Sequence, residues 1–456
     1  MIWAIVYFGF SFDGLYGQDA YEYLRYTEAL KAFFTTGKNP GDYFWGVYYP
    51  IFGSILSFLI PNIALALQLI SVFSLVITSL YVDKIIRLMY KENASHNIPF
   101  LLFTLSPIVL IHSVLAMSDL LTCCFVTIAF YSLLQFLETS KNKHFLIGIA
   151  FCCIAILTRY ASAVVLLPIC IMVLYRLLKN RNYKILLYSI PIIVIIAIPH
   201  LLIRSQNSLQ FLSHQWLQTW NIFNLFQSDF VTGDGTMNNH FINLVYVFFS
   251  VLHPTFLFIG ILLIAFSIIN RSFKIYNYST LLLLSILIYS LFLGGISFQN
   301  KRFLILSFPL VIVYLFPIIK KLFETINHPK TLFISIFIIQ ISLGIYFGIT
   351  FYERNLLEQT ISKEMKQFEG STLYVLDIDV ALQGRKMAFN YKNLWKEKYT
   401  NYEKNALVLV NEKQLIKQWK GKNPMLNWGN IETYYKIHKL KSFQGDFNLF
   451  RIDSKK

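Results

Sequence analysis

FDGLYGQDAYEYLRY, residues 12–26, follows an apolar segment at 1–12 and places an acidic, tyrosine-rich stretch where the chain leaves a membrane. Read as a helix from Asp19, the spacing i, i+3, i+4, i+7 puts Asp19, Glu22, Tyr23 and Tyr26 on one side. A carboxylate beside a membrane-bound cleft suits a general base or a metal ligand. The competing reading is that Asp19 caps the helix, because Asp is a favoured N-cap. Residues 19–36 continue as an amphipathic helix with Tyr and Phe on one face, as interfacial helices have. The GKNPGD run at 37–42 breaks it. FWGVYYPIFGSILSFLIP, 44–61, then reads as a second helix lying at or dipping into the membrane; a true span there would reverse every later topology assignment.

Outward from this loop the chain is apolar. Of its 456 residues 56% are hydrophobic and 14% charged, against about 25% charged in a soluble domain, and mean hydropathy is +0.53. Apolar segments fall near 1–12, 63–82, 98–116, 118–137, 145–158, 161–175, 185–203, 241–269, 279–297, 303–319 and 331–351. Runs of this kind are expected to span a bilayer, so the fold class is an all-α polytopic membrane protein with about 11 transmembrane helices. The first segment is short: twelve helical residues rise roughly 18 Å against an apolar core of about 30 Å, so a start further upstream is expected. No cleavable signal peptide is expected, because 1–12 lacks a basic start and a small-residue cleavage site.

Net charge is +16. In a nucleic-acid binder that charge would gather on a soluble face; here much of it sits in short loops, so no nucleic-acid partner is expected, and the cations meet lipid headgroups. Loops 83–97, 138–144, 176–184, 270–277 and 320–330 hold 14 Lys and Arg, whereas the alternate set, 13–46, 117, 159–160, 204–240 and 298–302, holds 7 over a longer total length. The positive-inside rule puts the first set in the cytoplasm. A multi-pass protein of the cell (inner) membrane is expected, with its N-terminus cytoplasmic and both the 13–61 loop and the C-terminus extracytoplasmic. Asp19, Asp119, Arg159, the 204–240 loop and Arg302 then share the outer face.

Residues 1–351 form the membrane domain and 352–456 a polar domain with 19 Lys and Arg against 12 Asp and Glu. TLYVLD (372–377) and ALVLV (406–410) read as buried strands, EKQLIKQWK (412–420) as a short helix, and 434–443 with 447–452 as a hairpin around Gly445-Asp446. A small extracytoplasmic α/β domain fits. It holds no GxGxxG, P-loop or paired Cys, and the chain has no internal repeat. The five cysteines, Cys123, Cys124, Cys152, Cys153 and Cys170, lie inside apolar segments, without metal-ligand spacing, and a disulfide framework is not expected.

Asp119 opens the apolar helix SDLLTCCFVTIAFYSLL, where Ser118 or Asp119 could serve as N-cap; an ionisable residue at a membrane helix end is also a functional candidate. Arg159, followed by Tyr160 in LTRYASAVVLLP, cannot shed its charge and must find water, a headgroup or an anionic ligand. Lys301 and Arg302 in FQNKRFLILSFP break the positive-inside pattern, and cations at an outer cleft suit a lipid phosphate. His253 in VLHPTFLF reads as lying within an apolar helix, where packing competes with ligation. In the 204–240 loop, His214, Trp216, Trp220, Asp229, Asp234 and His240 offer an aromatic belt or sugar-stacking platforms; Asp229, Asp234 and His240 match no metal motif.

QDAYEYLRYTEAL, GVYYPIFGSILSFL, LAMSDLLTCCFVTIAFYSLL, LTRYASAVVLLP and QNKRFLILSFPLVIVYL, taken in order over residues 1–320, resemble the GT-C fold glycosyltransferases, the group of the dolichyl-phosphate-mannose–protein mannosyltransferases and the lipid A aminoarabinose transferases. The resemblance implies inverting transfer of a sugar from a polyprenyl-phosphate donor to a glycan, lipid or protein acceptor on the outer face. It implies that Asp19 is the general base and Asp119 the second acidic position, and that Arg159 and Arg302 stabilise charge on the leaving phosphate. Glu22, Tyr23, Tyr160, Lys301 and His253 join Arg159 and Arg302 as candidate substrate-binding residues. Many protein mannosyltransferases have Asp-Glu at the first motif, whereas Asp19 is followed by Ala20, which weakens an assignment to protein O-mannosylation. A divalent metal is left open. The rival reading is a transporter or flippase for a lipid-linked saccharide, which predicts inverted repeats and charges at the bilayer midplane.

Overall fold

A computed structural model describes residues 8–91, 98–204, 215–233, 235–270 and 276–456. His214 and Asp234 lie outside the described residues, as do residues 1–7 of the first apolar segment and the side chain of Trp216. The chain divides into two compact units: one of 1–14, 26–226 and 241–349, the other of 15–25, 227–240 and 350–456. The division departs from a simple cut at residue 351, because two short segments from the loops, 15–25 and 227–240, group with the C-terminal residues.

The first unit is helical. After α1 (Gly17–Thr36) come α2 (Tyr48–Leu56), α3 (Ile63–Tyr90), α4 (Ile98–Thr104), α5 (Pro107–Val114), α6 (Asp119–Thr139), α7 (Asn142–Thr158), α8 (Ser162–Lys179), α9 (Tyr183–Ile203), α10 (Gly260–Ile269), α11 (Ser279–Gly294), α12 (Phe308–Thr325) and α13 (Pro329–Met365). Five of these, α3, α6, α8, α9 and α13, are long and apolar enough to cross a bilayer, and the chain is a multi-pass membrane protein. The eleven apolar segments are not eleven single-helix spans among the described residues. Segment 98–116 is split before Pro107, which starts α5 at its first helical position, where the missing N–H costs nothing. Segment 241–269 breaks into Asn243–Tyr246, Phe249–Leu252 and α10. The nine residues of α2 rise about 14 Å, too little to span.

Inside the apolar helices several hydroxyls are satisfied by their own backbone. Ser74 donates to the Ile70 carbonyl, Thr78 to Ser74, Thr122 to Ser118 and Thr127 to Cys123, all at 2.7–2.8 Å. Without water, such i−4 bonds are the available partners. Asn62 caps α3 by accepting from the Leu65 N–H.

The second unit is built on a five-stranded mixed sheet in the order β4-β3-β5-β7-β6, with β3 Thr372–Val375, β4 Asn390–Asn393, β5 Leu407–Asn411, β6 Tyr435–Ser442 and β7 Phe447–Lys455. β3 runs parallel to β4 and β5, while β7 is antiparallel to β5 and β6. Helices α14 (Asp379–Gly384), α15 (Glu412–Gln418) and α16 (Asn423–Tyr434) complete it. Its core gathers Tyr374, Val408, Val410, Trp428, Ile431 and Phe450. The hairpin turns at Gly445 and Asp446, both with positive φ, and burial pushes the Asp379 carboxyl above its ordinary range even though Asn393 donates to it at 2.6 Å. A two-stranded hairpin, β1 Asp229–Thr232 with β2 Gly235–Asn238, belongs to the same unit.

Candidate active site

In the first unit one helical turn of α3 organises the approach to Asp119. Gln68, fully buried, donates to the carbonyls of Phe12 at 3.3 Å and Val114 at 2.7 Å. Ser71 donates to the carbonyls of Leu115 at 2.9 Å and Met117 at 3.2 Å, and the Ala116 N–H donates to the Gly14 carbonyl at 2.9 Å. Segments 12–14 and 114–117 are thereby stitched side by side. Gly14 is required there: its φ is +75°, and a Cβ would fall 2.4 Å from the Gln68 amide. Such a backbone strains any other residue.

Asp119 is the first residue of α6 and 1% exposed. The Ser118 side chain makes no capping bond. The Asp119 carboxylate accepts instead from Arg159 through one oxygen, and its other oxygen lies 3.7 Å from Nδ1 of His112. Arg159 sits in extended conformation directly after the C-terminus of α7, where a cation meets the negative end of the helix dipole. Its guanidinium lies 4.8 Å from the centroid of Phe303, and that of Arg302 lies 5.5 Å from the same ring. Arg302 also donates to the Met117 sulfur at 3.3 Å. The Lys301–Leu306 3₁₀ turn that carries it is capped by Asn300, which accepts from the Arg302 N–H at 3.1 Å. Buried tyrosines hold this turn: Tyr246 donates to the Asn300 carbonyl at 2.7 Å and Tyr289 to that of Phe303 at 2.8 Å.

His253 is not inside a helix. It follows Phe249–Leu252 with an extended backbone, because the residue before a proline is driven out of the α region. The Thr255 N–H donates to its Nδ1 at 3.1 Å, and its Nε2 lies 3.3 Å from the Lys301 ammonium. Lys301 also stands 5.6 Å from the Phe347 ring. Tyr160 accepts from Arg204 at 2.9 Å, and the same guanidinium donates to the Phe44 carbonyl.

Asp19, Glu22 and Tyr23 belong to the second unit. Gly17, at φ +64°, has left the helical region, so Asp19 lies within the first turn of α1 and past the cap position. Its side chain is half-buried. Glu22 accepts both bonds of a fork from Arg25, at 2.6 and 2.7 Å, and Tyr23 is buried. Asp229 accepts from the Ser228 hydroxyl. Among the described residues no three His, Cys, Asp or Glu side chains gather into a metal site.

Sequence reasoning passed over His112, Arg204 and Gln68. The first two carried the signal used elsewhere, an ionisable side chain within or at the end of an apolar run. Gln68 carried none, since a single Gln in a 28-residue apolar helix shows its role only through partners distant in sequence.

The family described as dolichyl-phosphate-mannose-protein mannosyltransferase matches residues 49–203, a stretch holding Asp119, Arg159 and Tyr160. No curated protein matches the chain. Among solved structures, the chain is similar to ArnT from Cupriavidus metallidurans bound to undecaprenyl phosphate, with TM-score 0.60 and 11% identity over 99% of this chain and 96% of that one. The apo state of the same ArnT matches at TM-score 0.60 and 11% identity, over 99% and 95% of the two chains. The chain thus has the fold of ArnT along nearly its whole length, and its residues 49–203 match the mannosyltransferase family model.

Proposed function

We propose that the chain is an integral membrane glycosyltransferase that moves a sugar from a polyprenyl-phosphate donor to a hydroxyl acceptor on the extracytoplasmic face. The observation that carries this reading is the pair of buried Asp119 and partly buried Arg159, with Arg302 on the same Phe303 ring. With Lys301 nearby in sequence, these side chains hold more positive than negative charge. Cations in low dielectric act strongly on a phosphate. Two further facts support it: the family match covers Asp119 and Arg159, and the ArnT whose fold the chain shares has been crystallised with undecaprenyl phosphate.

In this reading Asp19 accepts the proton of the acceptor hydroxyl as its oxygen attacks the anomeric carbon. The new C–O bond forms on one face while the bond to the phosphate oxygen breaks on the other, with inversion. The electron pair leaves with the polyprenyl phosphate, whose growing charge Arg159 and Arg302 stabilise. Asp119 holds Arg159 at one angle, and Met117 does so for Arg302. Lys301 with His253 supplies a second cationic contact.

The test is transfer from a panel of radiolabelled polyprenyl-phosphate sugars in membranes holding wild type or Asp19→Asn at equal abundance. Label reaching an acceptor with wild type alone supports the reading. Equal transfer by both removes Asp19 from the chemistry. Movement of intact lipid-linked sugar across the bilayer, without label passing to an acceptor, favours the flippase.

A further inference from the structure

The second unit joins residues 15–25, the lead-in and first turns of α1, to the residues from Thr350 onward, through contacts that include the following. The Leu15 carbonyl accepts from Asn355 at 2.8 Å. The Tyr16 ring packs on Phe351 with centroids 4.5 Å apart. Tyr21, 2% exposed, donates to Glu358 at 2.6 Å.

Glu358 is itself buried, at 1% exposed. Its other oxygen accepts from Arg354 at 2.7 Å, and Arg354 reaches Asp377 at 3.1 Å. Asp377, two residues beyond β3, holds φ +74°, a conformation that costs free energy in a non-glycine residue. Above the Tyr21 ring the chain needs Gly384: a Cβ there would lie 2.4 Å from Tyr21 Cδ1, closer than packing allows. The Arg385 guanidinium stands 5.7 Å from the same ring. One tyrosine is thus fixed by a buried carboxylate at its hydroxyl and by a glycine slot at its ring edge.

Asp19 lies two residues before Tyr21. Positions i and i+2 of a helix point to nearly opposite sides, so a turn gripped through Tyr21 presents Asp19 away from the grip, where its side chain is half-buried rather than enclosed. We infer that the C-terminal α/β domain positions the base: Glu358, oriented by Arg354 and Asp377, and Gly384, through the space it leaves, set the rotation and height of the Asp19 turn. These are positioning residues acting through Tyr21. The inference rests on Asp19 being the general base, and it assigns the C-terminal domain a task although that domain holds no reactive motif of its own. A misplacement of about 1 Å can cost about a hundredfold in rate, so the grip needs only to hold the turn still.

Full-length Glu358→Gln, Tyr21→Phe and Gly384→Ala, purified in detergent, are compared with wild type by transfer kinetics, using the labelled donor that wild-type membranes turn over, and by hydrogen exchange. Each variant should lower kcat about ten- to a hundredfold with donor KM within about twofold. Exchange of peptide 17–23 should speed up while strands 372–375 and 407–411 stay protected. Tyr21→Phe combined with Glu358→Gln should be no slower than the worse single variant, because both break one link. Unchanged kcat and unchanged exchange in Gly384→Ala, alongside an inactive Asp19→Asn, overturn the grip and leave the base assignment standing. Accelerated exchange at 17–23 together with full transfer by Asp19→Asn overturns the base and the catalytic consequence of the grip. Loss of protection in the two strands overturns positioning in favour of a general folding role.

Discussion

Asp119 has 1% of its surface exposed, and the guanidinium of Arg159 lies against it. Removing one partner of a fully buried pair leaves an uncompensated charge and costs about 3–5 kcal/mol, whereas replacing both by apolar groups is often neutral; Arg159 keeps some exposure, so the cost here falls below that range. Asp119→Ala should therefore lower the melting temperature of the detergent-solubilised protein. Asp119→Leu combined with Arg159→Leu should melt closer to wild type and still fail to transfer sugar. Equal melting of the single and double variants would contradict the pairing. Asp119, Arg159, Lys301 and Arg302 were legible in the sequence for one reason: a charge inside or beside an apolar run must have a partner. Which partner each one takes was not legible, because 40 residues separate Asp119 from Arg159 and 48 separate Lys301 from His253.

Among the elements, α3 does the most for the site while carrying none of its charge. Gln68→Leu keeps the volume but leaves two carbonyls, those of Phe12 and Val114, without their donor, each at a cost of about 1–3 kcal/mol. The variant should fold less stably and show lower kcat, and Gln68→Glu should not restore it, since a carboxylate cannot donate to either carbonyl. Melting and transfer equal to wild type would show that segments 12–14 and 114–117 are held by other means. α1 was read from 19–36 and found at Gly17–Thr36, and the closing hairpin turned at Gly445 and Asp446 as its residues required. Periodicity and turn chemistry act locally, so they are visible in sequence. The breaks before Pro107 and Pro254, the β1–β2 hairpin and strand β4 were not read. An apolar run looks alike whether its helix is whole or broken, and β4, NYKN, is too short and polar to alternate.

For the whole molecule, apolar length and loop charge made a multi-pass membrane protein legible, and the ArnT fold agrees with the family resemblance. The basic-loop asymmetry predicts that loops 176–184 and 320–330 face the cytoplasm. Single cysteines in a Cys-less background at Asn180 and Asn327 should react with an impermeant maleimide only after the cells are opened. One at Gly421, in the C-terminal domain, should react in intact cells. The reverse pattern would invert the orientation and remove the extracytoplasmic site. The C-terminal sheet has an outermost strand, β6, and its exposed side chains include Lys436, His438 and Lys439. A bilayer confines its proteins to two dimensions, where neighbouring copies meet repeatedly in a limited set of orientations. An unpaired strand edge is a template for another chain's strand, and lysines along it repel such pairing. Two such copies approaching edge to edge along β6 would bring lysine towards lysine, which disfavours strand pairing between them.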